Sequence, residues 1–213
     1  MKKIILSVML LGMAGVVFGQ YDPKALDILE GMSDKYQKIG TFSAKITSTL
    51  VNEDEGVNEE FSGTITINGD KYRLKMEEQE VINNGLTVWT YLSEVNEVNI
   101  DNYDPDDEEI TPSKIYNAYK EGFKYLFVED ITEGGATYHV IDLLPEDRGS
   151  QFFRIRMNIN SKDNSLSSWT MHERTGNVYK YSITEFDPNV NVKDSFFTFD
   201  ASKYPGVEVI DLR

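Results

Sequence analysis

Three groups of residues in this chain could do chemistry: two histidines, a run of acids, and a long set of alternating apolar side chains. His139 and His172 could act as bases or metal ligands, but they fall in two separate strand-like stretches. Each reads as an ordinary strand residue and not as a base or ligand, because no convergent constellation is present. The sequence holds no G-x-S-x-G elbow, no H-E-x-x-H pair, no phosphate-cradling glycine loop and no dinucleotide fingerprint. Asp104, Asp106, Asp107, Glu108 and Glu109 could attract calcium, yet their spacing lacks the alternating oxygen ligands and closing glutamate of a calcium loop. With 36 acids in the chain, chance carboxylate pairs abound and no pair is singled out for glycoside chemistry. The expectation is a protein that is not an enzyme, with no catalytic residue, no metal and no cofactor.

The third group points to binding of apolar chains. Ile65, Ile67, Tyr72, Leu74, Met76, Trp89, Tyr91, Phe153, Ile155, Met157, Trp169, Met171, Tyr179 and Tyr181 recur at strand spacing and could share one concave face. A filled core would show the same periodicity. The 7 methionines and the 23 phenylalanines and tyrosines favour a lining that adapts to varied apolar guests. Each methylene buried there is worth ~0.8 kcal/mol, so several acyl chains would bind with no polar anchor.

Those residues need strands to hold them and helices to roof them. Asp22 suits a helix cap and Pro23 the first helical position, with Leu26, Leu29, Met32, Tyr36 and Ile39 on one face and Gly40 as the stop. Strand patterns follow. Asn68-Gly69-Asp70 and Asn83-Asn84-Gly85 mark hairpin turns. Thr111-Pro112 begins a second predicted helix whose apolar stripe is Ile115, Tyr119 and Phe123, interrupted by Gly122. A second series of strands occupies the rest, with Phe196–Phe199 closing the run and 207–212 as an edge strand. The expected fold class is α+β and mostly β: a single strongly curved antiparallel sheet, an unclosed β-barrel, with helices as a lid on its concave face.

Met1-Lys2-Lys3 followed by an apolar run to Phe18 reads as a secretory signal, cut near Gly19, so that residues 1–19 are removed and 20–213 form one domain. The run is shorter than the ~20 residues of a membrane span. Cysteine is absent, which excludes both a disulfide framework and a lipid anchor at the cut. The net charge of −15 argues against nucleic acid and against charge-driven binding to anionic membranes. The expected location is the periplasm, as a soluble monomer.

Four stretches carry a family resemblance. They are Thr41-Phe42-Ser43-Ala44 after the first helix, Phe61-Ser62-Gly63-Thr64-Ile65 running into Lys71-Tyr72-Arg73-Leu74, Glu80 to Tyr91 with its Asn84-Gly85 turn and Trp89-Thr90-Tyr91, and Phe196-Phe197-Thr198-Phe199 before Pro205-Gly206-Val207-Glu208-Val209. In order and spacing they resemble the periplasmic outer-membrane lipoprotein carrier family (LolA-like), and Thr111-Pro112 sits where that family starts a middle helix. The resemblance implies an unclosed barrel with a helical lid and lipid-modified proteins as cargo. It also implies receipt from an inner-membrane lipoprotein-releasing ATP-driven transporter, and leaves open an outer-membrane acceptor. Three positions depart from the pattern: no arginine stands at Asn68-Gly69-Asp70 to latch the lid, Leu74 replaces a tryptophan, and Asn84 replaces an aspartate. A lipid-responsive sensor or scaffold of the same fold is the alternative. A hydrolase would need converging carboxylates in a polar cleft.

Overall fold

The computed structural model describes residues 21–104 and 113–213. The signal expected at 1–19 and most of the acidic run, Asp106 to Glu109, lie outside them, as does Thr111-Pro112.

Helix α1 spans Pro23–Ile39, with Asp22 accepting from the backbone N–H groups of Lys24 and Ala25 and Gly40 ending it at φ 73°, as the residue types require. Twelve strands follow: β1 (Thr41–Asn52), β2 (Val57–Asn68), β3 (Lys71–Met76), β4 (Gln79–Asn83), β5 (Thr87–Leu92), β6 (Glu97–Asn102), β7 (Phe123–Glu133), β8 (Ala136–Pro145), β9 (Phe152–Asn160), β10 (Leu166–Glu173), β11 (Val178–Asp187) and β12 (Glu208–Asp211). They form one sheet in the order β12-β6-β5-β4-β3-β2-β1-β11-β10-β9-β8-β7. Two edges stay open, so the barrel is unclosed.

Three details differ from the sequence reading. The second helix does not form over the described residues: only a single 3-10 turn, Ala118–Lys120, is present, and Phe123 opens strand β7. Gly122 adopts φ 74°, which leaves the helical region and turns the chain into the sheet. The sheet is not wholly antiparallel, because β12 pairs with β6 in parallel. Phe196-Phe197 lies in a 3-10 turn, Asp194–Phe197, instead of a strand.

That C-terminal stretch covers the outer face of β3–β6. Phe197, Ile82 and Val98 are fully buried there. Arg73 donates to Glu80 at 2.8 Å and to the Phe196 carbonyl at 2.9 Å, and Tyr204 donates to the other Glu80 oxygen at 2.5 Å. Burial alone would raise the Glu80 carboxyl, but the hydrogen bonds from Arg73 and Tyr204 outweigh it and hold the group below its ordinary 4.5. A carboxylate whose folded pKa is depressed stabilises the fold above its unfolded pKa, and that stability is lost as pH falls through the folded value. Tyr204→Phe removes one of those bonds. It should move acid unfolding, followed by circular dichroism, to higher pH and cost about 1.5–3 kcal/mol near neutrality.

Candidate functional site

Helix α1 divides the concave side of the sheet into a filled half and an open half. Its inward residues Ala25, Leu29 and Met32 are fully buried in one cluster with Ile141, Leu143, Ile155, Met157 and Ile159 of β8 and β9. That half is core. Past Tyr36, near the end of the helix, the concave face of β1–β5, β10 and β11 encloses a hollow of about 520 Å³.

The hollow is built from alternate residues of neighbouring strands, since side chains two apart share a face. From β1 come Phe42, Ala44, Ile46, Ser48 and Leu50; from β2, Phe61, Ile65 and Ile67; from β3, Tyr72, Leu74 and Met76. Trp169, Met171, Tyr179, Tyr181 and Ile183 form the opposite wall. Among the described residues no lining side chain is charged, in a chain that is 27% charged. Burial pushes the Tyr36 and Tyr116 phenols up to about 12, so both stay neutral at physiological pH.

The hollow has a direction. Along β2, exposure rises from 3% at Ile67 to 40% at Phe61. At the deep end Phe42, Tyr72, Ile115 and Tyr116 are all buried and close the space. Tyr36 stacks on Tyr116 at 5.1 Å and accepts from the Leu166 backbone N–H at 3.1 Å. Ser33 donates to Asn117 at 2.6 Å and Gln37 to Ser33 at 3.0 Å, which ties α1 to the segment carrying Ile115 and Tyr116. These ties hold the roof in a chain whose Asn68-Gly69-Asp70 turn carries no arginine.

The mouth lies at the other end, beside the turns joining β1 to β2, β3 to β4 and β5 to β6. Those turns carry Glu53, Asp54, Glu55, Glu77, Glu78 and Glu94. A crevice of about 330 Å³ leads out from Phe61, Met76 and Gln79 to Leu92 and Val95, with Glu78 and Glu94 on its walls.

Of the sequence-predicted residues, Ile65, Ile67, Tyr72, Leu74, Met76, Trp169, Met171, Tyr179 and Tyr181 line the hollow, and Ile115 roofs it. Ile155 and Met157 lie under α1 in the filled half. Trp89 and Tyr91 stand on the opposite face, because Val88 and Thr90 point inward; Tyr91 packs instead on Tyr204 and Phe199 of the C-terminal stretch. Phe153 is 43% exposed beside His172, since a break in the β9–β10 register at Glu173 turns it outward and leaves Phe152 against Tyr179. Tyr119 packs edge-on to Tyr125, and Phe123 sits on β7, both away from the hollow. The β1 row and Tyr36 were missed; the signal was alternation from Phe42 to Leu50, diluted by Ala44 and Ser48.

The histidines do not converge. His139 of β8 hydrogen-bonds Asp130 of β7, while His172 of β10 meets Arg154 of β9 at 3.1 Å. Burial, then the nearby arginines, lowers the His172 pKa. Among the described residues no group of three or more His, Cys, Asp or Glu is placed to hold a metal.

Comparison with known proteins agrees with this geometry. Residues 37–200 match the family described as outer membrane lipoprotein carrier protein LolA. No curated protein sequence matches. Among solved structures, an uncharacterized conserved protein from Thermus thermophilus superposes with a TM-score of 0.60 at 12% identity, over 88% of this chain and 99% of that one. A putative outer membrane lipoprotein-sorting protein domain from Vibrio parahaemolyticus gives 0.48 at 11% identity, over 82% and 96%. The family match covers most of the sequence: the chain belongs to the LolA family of outer membrane lipoprotein carrier proteins.

Proposed function

We propose that the chain is exported to the periplasm, with residues 1–19 removed as its signal, and there carries lipid-modified proteins by holding an acyl chain in the hollow. The supporting observation is a cavity blind at one end, open at the other and lined, among the described residues, by no charged side chain. A methylene takes about the room of a water molecule, roughly 30 Å³ in the liquid, so the hollow seats on the order of 17 of them, one chain where the sequence suggested several. Each contributes ~0.8 kcal/mol, enough for firm binding without a polar anchor. Cargo would be received from an inner-membrane releasing transporter, as the family membership suggests. Loss of the gene tests the reading in the cells that make the protein. Lipoproteins retained in the inner membrane support carriage; correct sorting with an altered envelope stress response would instead favour a sensor of the same fold.

The acidic mouth sets a second expectation. An acyl chain with a neutral head should bind about fivefold or more tightly than a fatty acid of equal length, because the carboxylate meets like charge at the rim. Titration at low and high salt checks it: the difference should shrink as salt rises.

A further inference from the structure

A second cavity, of about 420 Å³, lies where the start of α1 meets the beginning of β7 and the end of β8, and the carrier reading makes no use of it. Its walls include Tyr21, Tyr119, Tyr125, Glu30 and Glu146. The rings are inclined to one another: Tyr21 and Tyr125 lie 5.2 Å apart at 57°, Tyr119 and Tyr125 6.2 Å apart at 79°. All three rings line the cavity, and the face of an aromatic ring carries the negative side of its quadrupole.

We propose that this aromatic lining with its two carboxylates binds an alkylated ammonium group. The ring faces attract a cation that is poorly hydrated and has an apolar skirt, and Glu30 and Glu146 supply the countercharge. Tyr21 donates to one Glu146 oxygen at 2.6 Å, which fixes that carboxylate at the rim and leaves its second oxygen for the guest. The positive end of α1 does not oppose a cation here, because Asp22 already caps the first N–H groups and offsets their partial charge. Lys120 also lines the cavity, its ammonium 5.9 Å from the Tyr119 ring centroid. It competes for that face and sets the affinity low.

The test titrates the full exported chain with choline and with neohexanol, its uncharged isostere, following tyrosine ring signals by NMR. Choline should saturate in the millimolar range with shifts confined to Tyr21, Tyr119 and Tyr125, and neohexanol should not. Glu146→Gln and Tyr21→Ala should each weaken choline about fivefold, and Lys120→Gln should tighten it. Glycerophosphocholine in place of choline identifies the source: equal binding assigns a phospholipid headgroup, weaker binding a free or protein-borne ammonium clear of phosphate. Neohexanol binding as well as choline would overturn the proposal, as would shifts elsewhere in the protein or both site variants binding normally.

Discussion

Leu74→Glu should abolish acyl-chain binding while leaving the protein folded. Leu74 lines the hollow from β3 and is only partly buried, so a carboxylate there keeps some access to water through the mouth. The folded state therefore tolerates it. A guest would not, because seating an acyl chain strips that water and leaves a charge in apolar surroundings. Even an uncompensated neutral polar group costs ~1–3 kcal/mol by mutational measure, and an ionised one costs far more. The expected loss is at least about a hundredfold in affinity for a fluorescent acyl probe, with the melting temperature changed by a few degrees at most. Ile155→Glu gives the contrast. That residue is fully buried under α1, so the same change should prevent folding. A Leu74→Glu protein that binds the probe normally would place the acyl site elsewhere.

Tyr36→Ala should be the most damaging truncation in the roof. The side chain is 4% exposed, stacks on Tyr116, meets Phe42 and Phe186, and accepts from the Leu166 backbone. Removing a buried aromatic of this size costs about 3–5 kcal/mol. Tyr36→Phe separates the contributions: it keeps the packing and leaves the Leu166 N–H unsatisfied, for about 1–3 kcal/mol. Urea unfolding measures both. Because Tyr36 closes the deep end, the alanine variant should also release a bound acyl probe faster, whereas Tyr36→Phe should release it at the normal rate. Equal release from both variants would mean that the deep wall is formed by other residues.

The division of the concave face has a consequence for cargo. On the carrier proposal, a lipid-modified protein with more than one acyl chain would seat one in the hollow at rest. A second would require α1 to leave β8 and β9, exposing Ile141, Leu143, Ile155, Met157 and Ile159. That departure would also break the bonds from Lys35 to Asp163, from the Leu166 N–H to Tyr36 and from the Phe127 N–H to Asp22, and the buried apolar contacts of Leu29 and Met32 oppose it.

Much of the fold was legible because local chemistry and tertiary packing agree. The Asp22-Pro23 start and Gly40 stop of α1, the Asn68-Gly69 hairpin and the Asn83-Asn84-Gly85 turn all stand where residue type places them. The second helix failed because its apolar spacing at Ile115, Tyr119 and Phe123 fits a helix as well as a turn leading into a strand, and Gly122 decides between them. The lining was legible wherever a strand has one apolar face, as in Ile65-Ile67 and Leu74-Met76. It was illegible on β5: Trp89 and Tyr91 look inward by size, but both stand on the outer face, where the C-terminal stretch supplies Tyr91 a cover that no local pattern announces. The register break that turns Phe153 outward is likewise a property of the β9–β10 pair and not of β9 alone.

The most direct measurement is native mass spectrometry of the chain purified from the periplasm without added lipid. The account predicts a bound acyl-bearing species in the wild-type protein, one chain's worth per molecule, and none in folded Leu74→Glu. A wild-type protein that emerges empty and takes up no acyl probe on titration would contradict it.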